Sequence, residues 1–302
     1  AYRDEGAPII ERGEGFHLID VEGRRYLDGI SSLWCNVHGH RVPEIDAAVR
    51  DQLDRVAHTT LLGLSSPPSI DLAARLVQAA PEGLNRVFYS DSGSTAVEVA
   101  LKMALGYWHN RDEPRHRILV MEHSYHGDTI GAMSVGERGV FNRAYEALLF
   151  DVGTIPFPGS DPQPTYDALD RFCAAGDVAA FIVEPLLLGA GGMLTYPPQV
   201  LAEMRAICAR HGVLFIADEV MTGWGRTGTL LACEQAGVTP DILCLAKGLT
   251  GGSMPLAVTM ATVPIYDAHY STDRAKMFFH SSSFTANPIA CAAAVANLAI
   301  WR

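Results

Sequence analysis

The chain has 302 residues, a formal net charge of −11 and a pI near 5.4, with 48% hydrophobic and 19% charged residues. That composition is globular, and an acidic balance without any basic run argues against nucleic acid or an anionic membrane as partner. No apolar run approaches the roughly 18 residues of a membrane span, and the N-terminal "AYRDEGAPIIERGEGF" lacks a signal core, so a soluble, cytoplasmic protein acting on small molecules is expected.

In chain order, "GFHLIDVEGRRYLDGI" shows two alternating runs around Glu22-Gly23, the pattern of a hairpin. After Pro43 the period changes. "PEIDAAVRDQLDRV" and "PPSIDLAARLVQAAP" carry apolar residues at helical spacing with Pro, Ser and Asp near their starts. From Arg86 strands and helices alternate. "RVFYSDSG" reads as strand and turn, "STAVEVALKMALGYW" as helix, "RILVMEHSYHG" as strand and turn, and "VAAFIVEP" as a buried strand. The segment "PQVLAEMRAICARHG" is a helix with a glycine stop, and "GVLFIADEV" and "DILCLAKG" are further short buried strands. Short apolar strands joined by helices predict an α/β fold with a mostly parallel sheet covered on both faces. The six cysteines, at 35, 173, 208, 233, 244 and 291, form no C-x-x-C pair and no zinc spacing, which predicts reduced thiols.

Parallel strands collect their C-terminal ends along one edge, the edge where such sheets bind ligands. Here that edge gathers "DSGS", "YHGD", "EP", "DE" and "AKG". Ser92, Gly93 and Ser94 end a strand and open a helix, so they are either an anion cradle or an ordinary N-cap. Asp218 ends "VLFIAD", where a carboxylate needs a cationic or protonated partner. As a magnesium-holding residue it would need a G-x-x-x-x-G-K-[ST] loop, which the chain lacks. Lys247 is one of only three lysines. At the tip of an apolar strand it is either a snorkelling side chain or an amine kept dry enough to act as a nucleophile. Taken together, a phosphate cradle, a buried carboxylate and a dry amine are what pyridoxal 5'-phosphate requires, with Tyr125 placed to lie over its ring.

The segments "DSGSTAVEVALKMALGYW", "YHGDTIGAMSVG", "EPLLLGAGGM", "ADEVMTGWGRTG", "PDILCLAKGLTGG" and "HSSSFTANPIACAAA" resemble those of the class III, fold-type I pyridoxal-phosphate aminotransferases over essentially the whole chain. The resemblance implies that fold, with a mostly parallel central sheet flanked by helices and part of a small α+β domain. Residues 1–45 would be the N-terminal part of that small domain and 46–302 the large cofactor-binding domain, the C-terminal small domain lying outside this chain. It implies that Ser92, Gly93 and Ser94 hold the phosphate and that Tyr125 and His126 flank the ring. Asp218 would pair with the ring nitrogen, Val220 pack behind it, and Lys247 form the Schiff base and shuttle the proton. Ser282 and Ser283 would reach the partner subunit's phosphate, implying a homodimer with shared sites. Trp34, Leu33, Tyr125, Asp128, Lys247 and Ser281 would contact substrate. Within the class the motifs come nearest to the branch that aminates 8-amino-7-oxononanoate, using adenosylmethionine or lysine as donor. Another class III enzyme, acting on an ω-amine, ornithine or 4-aminobutyrate, is the alternative.

Other features read as structural. His38 and His40 in "VHGH" stand without an evident acidic partner, so no metal is expected; Lys102 and Lys276 read as solvated, and "GAGGM" lacks the spacing of a dinucleotide loop.

Overall fold

The computed structural model describes residues 6–113 and 115–301. The predicted hairpin is present and gains a strand on its N-terminal side. β1 (Ile10–Glu14), β2 (His17–Asp20) and β3 (Arg25–Leu27) form an antiparallel sheet in that order. The turn between β2 and β3 is held by Asp20, whose carboxylate accepts from the Glu22 and Arg24 amides at 3.0 and 2.9 Å.

The helices read from period appear as Pro43–Arg55, Pro67–Ala79, Gly93–Asn110 and Pro198–Arg210. Three of the four start with proline, whose missing N–H costs nothing in a first turn. Pro43–Arg55 also has Glu44 and Asp46 in its first turn and Arg55 in its last, matching the helix dipole at both ends.

The central sheet has seven strands: β4 (Leu84–Ser90), β5 (Arg117–Met121), β6 (Gly153–Ile155), β7 (Val178–Val183), β10 (Leu214–Asp218), β11 (Ile242–Leu245) and β12 (Ala257–Thr262). A small antiparallel pair, β8 (Leu187–Leu188) and β9 (Leu194–Thr195), follows β7. The spatial order is β4-β12-β11-β10-β7-β5-β6. Only β12 runs against its neighbours, pairing antiparallel with both β11 and β4. The expectation of a mostly parallel sheet therefore holds. Strand β12 was not anticipated, because "PLAVTMATV" blurs into the surrounding turns.

Alternate residues of the strands feed two cores. Phe181 and Phe215, edge to face at 5.8 Å, lie with Leu243 and Leu245 on one face. Ile182, Ile216, Ile242 and Cys244 lie on the other, beneath Ala96, Ala100 and Ala104 of helix Gly93–Asn110. Those alanines let the helix sit close enough for the Thr259 hydroxyl to donate to the Ala96 carbonyl at 2.8 Å. Full burial of such a phenylalanine or isoleucine contributes about 1.5–3 kcal/mol. The cysteines go further than predicted: five of six are buried, Cys35 is intermediate, and all are free thiols.

Candidate active site

The C-terminal ends of β4, β10 and β11 open onto a cavity of about 370 Å³, within the range of small-molecule sites. Parallel register sets it up: Asp218 pairs with Cys244, so the tip of β10 stands beside the turn that starts at Lys247. Ser92, Gly93, Ser94, Tyr125, His126 and Asp218 all line the cavity, as do Val220, Lys247 and Trp34. A second cavity of about 480 Å³ adjoins it through Tyr125, Gly127 and Ala190 and is also lined by Asp128.

Ser92 turns out to be the helix cap. Its hydroxyl oxygen accepts from the Thr95 amide at 3.3 Å, leaving the first-turn amides of Gly93 and Ser94 without an intrahelical acceptor. Two glycines shape the floor beneath them. A Cβ on Gly93 would lie 2.6 Å from Val220 Cγ1, and one on Gly127 would lie 2.1 Å from Ser94 Oγ. Glycine at these two positions therefore lets Val220 and Ser94 pack directly against the backbone that borders the cavity.

Asp218 is 4% exposed. One carboxylate oxygen accepts from the Val220 amide at 3.0 Å, and the other faces His126 Nδ1 at 2.7 Å. A carboxylate only accepts, so the imidazole donates from Nδ1, and its buried Nε2 has no partner among the described residues. The Tyr125 hydroxyl donates to Asp128 at 2.9 Å. Burial, then that carboxylate, pushes the phenol up to about 12.

Lys247 begins a short turn with a left-handed backbone, φ +46°, which side-chain-bearing residues seldom adopt. The strand before it is fully buried, whereas the lysine is half-buried on the cavity wall, its Nζ 5.5 Å from the Trp34 ring centroid. Trp34 arrives there on a second unusual stretch. Ser31, Ser32, Leu33 and Trp34 all have positive φ, and Arg226 donates to the Trp34 carbonyl at 3.3 Å.

The described residues do not bring every predicted residue together. Leu33 is 58% exposed and does not line the cavity. Ser281 and Ser283 are exposed, and Ser282 donates its hydroxyl to Asp91 of its own chain. None of the three serines lines this cavity. Lys102 is more than solvated surface, since its ammonium donates to the Phe279 carbonyl at 2.7 Å and so holds the segment leading to those serines. His40 does have an acidic partner: Asp28, twelve residues earlier, lies 2.8 Å from Nε2.

A family model for class III aminotransferases matches residues 2–302. The chain belongs to the class III aminotransferases. Adenosylmethionine-8-amino-7-oxononanoate aminotransferases are among its relatives. That of Nitratidesulfovibrio vulgaris is 50% identical over 97% of this chain and 57% of its own length. That of Synechococcus elongatus is 50% identical over 98% and 72%. The chain thus spans little more than half of one relative and under three quarters of the other. A solved adenosylmethionine-8-amino-7-oxononanoate aminotransferase from Methanocaldococcus jannaschii superposes with a TM-score of 0.96 at 40% identity, covering 99% of this chain and 70% of that one. A solved amine transaminase from an uncultivated Pseudomonas species, in a form bound to pyridoxal phosphate, gives 0.93 at 40% identity, with coverage of 99% and 71%.

Pyridoxal phosphate is the cofactor of class III aminotransferases, and the cavity fits it. The first-turn amides of Gly93 and Ser94 at a helix N-terminus suit a phosphate, the Asp218 carboxylate is buried with a further lone pair to offer, and the Lys247 amine borders the same space.

Sequence reasoning placed Glu184 on this edge without seeing its part in the class III site. Its carboxylate accepts from the Tyr125 and Gly189 amides at 3.2 and 3.1 Å. Burial, reinforced by the charge of Asp218 and opposed by His126, raises its pKa from 4.5 to about 7. A raised folded-state pKa makes the protonated carboxyl the form that favours the fold. The stabilisation is therefore complete below about 4.5 and is lost as pH rises through about 7. The loss is on the order of 3 kcal/mol. Urea unfolding of cofactor-free wild type and Glu184→Gln at pH 5 and pH 8 is expected to show wild type losing ground to the variant by about that amount; a pH-independent difference would contradict it.

Proposed function

We propose that the chain catalyses transamination of 8-amino-7-oxononanoate to 7,8-diaminononanoate in biotin biosynthesis, with adenosylmethionine or lysine as amino donor. The observation that carries the reading is the meeting of Lys247, Asp218 and the Gly93–Ser94 cradle in one cavity. The substrate choice is supported by the 50% identity of relatives bearing that activity in their names. A solved ω-transaminase from Thermomicrobium roseum is 35% identical to the chain, and the solved amine transaminase at 40% makes an ω-amine substrate the second reading.

In this reading Gly93 and Ser94 bind the cofactor phosphate through backbone amides at a helix N-terminus, with Ser92 capping that helix. Tyr125 and Val220, which both line the cavity, would pack against the ring. His126 orients Asp218, whose carboxylate keeps a proton on the ring nitrogen. When bound, pyridoxal phosphate supplies an aldehyde carbon for the amine and an electron-withdrawing ring that stabilises negative charge on the substrate carbon. Lys247 holds the cofactor at Nζ, releases it to the incoming amine, and then takes up and returns the proton at that same atom. Trp34 walls the acceptor's aliphatic chain, Asp128 sets the Tyr125 hydroxyl, Ser281 lies near the substrate, and Ser282 and Ser283 serve the partner subunit's phosphate in a homodimer. Residues 1–45 belong to the small domain and 46–302 to the large one. Among the described residues no helix is long and apolar enough to cross a membrane, which is compatible with a cytoplasmic location.

The test supplies 8-amino-7-oxononanoate with adenosylmethionine or with lysine and measures 7,8-diaminononanoate by mass. Product with either donor is expected. Turnover of simple ω-amines with none of 8-amino-7-oxononanoate would sink the proposal.

A further inference from the structure

The segment "NVHGH", Asn36–His40, has no part in the chemistry above, yet it closes on the lysine turn. Asn297, on helix Pro288–Ile300, is fully buried. Its amide nitrogen donates to the carbonyls of Gly248 and Leu249, each at 3.0 Å, and these are the two residues directly after Lys247. Its amide oxygen lies 2.9 Å from His38 Nε2. With both amide protons directed at carbonyls, that oxygen is the acceptor, and Nε2 carries the proton.

The rest of the segment is fixed in the same way. Asn36 Nδ2 donates to His40 Nδ1 at 3.1 Å, so His40 donates from Nε2 to Asp28 at 2.8 Å. The glycines after the turn make room: a Cβ on Gly251 would meet Ile45 Cδ1 at 2.6 Å, and one on Gly252 would meet Asn36 Oδ1 at 1.8 Å. The same run of chain presents Trp34 to Lys247.

We propose that Asn297 and His38 are positioning residues, a hydrogen-bonded relay that holds the Lys247 turn in its left-handed conformation and ties it to the segment carrying Trp34. The left-handed backbone at Lys247 costs free energy and persists only where its surroundings hold it. Two carbonyls tethered immediately downstream do so, and the tether reaches through His38 to the cavity's opposite wall. The inference rests on Lys247 being the reactive amine, but its first readout does not require turnover.

The three lysines supply an internal reference. Cofactor-free protein is treated briefly with acetic anhydride, and acetylation of Lys247 relative to Lys276 is quantified by mass spectrometry. Asn297→Asp keeps the shape and removes both donors. It is expected to shift the ratio by at least roughly fivefold, the scale of a single lost hydrogen bond, since two are removed. His38→Leu is expected to shift it in the same direction, while His38→Gln, which keeps a donor, stays near wild type. In the cofactor-loaded enzyme Asn297→Asp is expected to lower kcat by about 10²-fold, the cost of a misplaced reacting group, with KM changed much less. Ratios equal to wild type in natively folded Asn297→Asp and His38→Leu would overturn the proposal. Should Asn297→Asp fail to fold, the two His38 variants decide alone: indistinguishable ratios overturn it, and loss in the leucine with rescue in the glutamine supports it. Absence of transamination in wild type would refute the functional reading while leaving this ratio measurable.

Discussion

Lys247→Ala is expected to lower transamination by at least about 10⁴-fold, because in the proposed reading one amine both holds the cofactor and transfers the proton. The other two lysines offer no substitute. Lys102 is tied to the Phe279 carbonyl, and Lys276 lies exposed near the Asn110 carbonyl, neither lining the cavity. Reduction with borohydride followed by peptide mapping is the direct measurement. In wild type the label is expected on the peptide containing Lys247, and in Lys247→Ala on none. A labelled Lys102 or Lys276 peptide, or an alanine variant retaining more than about a hundredth of the rate, would remove the basis for the assignment.

Asp218→Asn should separate binding from chemistry. The amide is the same size and its oxygen still accepts from the His126 Nδ1 proton, so the buried pair at 2.7 Å keeps a hydrogen bond. What disappears is the negative charge that in the proposed reading faces the ring nitrogen, together with the oxygen that accepts from the Val220 amide. Loss of one preorganised electrostatic partner costs about 10²–10³-fold in kcat, while Lys247 remains available to borohydride trapping. Stopped-flow measurement of the half-reaction with the amino donor, beside the trapping yield, distinguishes the outcomes. An unchanged half-reaction rate would mean that the ring nitrogen does not depend on this carboxylate, and loss of trapping would mean that Asp218 builds the cavity instead of serving the chemistry.

How far the sequence reached can be judged residue by residue. Asp218 and Lys247 were legible because each ends a short apolar strand, where a charged side chain stands out and the strand direction says which edge it occupies. Ser92 to Ser94 were legible as a strand-to-helix junction, though whether capping or anion binding would use them stayed open. The Ser92 hydroxyl caps, and the next two amides have no intrahelical acceptor. Glu184 was visible only as a residue before a proline. Its near-neutral titration comes from burial among groups that the sheet assembles from separate strands. Leu33 and Trp34 part company on a run of left-handed residues that puts Trp34 in the cavity lining and leaves Leu33 exposed; no periodicity signals such a run.

The chain by itself determined its main helices and five of the seven central strands, the direction those five share, and so the edge that gathers Ser92, Asp218 and Lys247. Those are consequences of spacing and of turn residues, all local in sequence. Tertiary structure alone decided how the tips are ordered and what steadies them. Strand β12, unread in the sequence, enters between β4 and β11 and sets the spacing of the cradle from the lysine turn. His38 meets Asn297 across 259 positions of chain, and Asn297 reaches back 49 to Gly248. Hydrogen bonds between such distant partners leave no periodic trace, because only burial of both cores brings the partners within reach of one another.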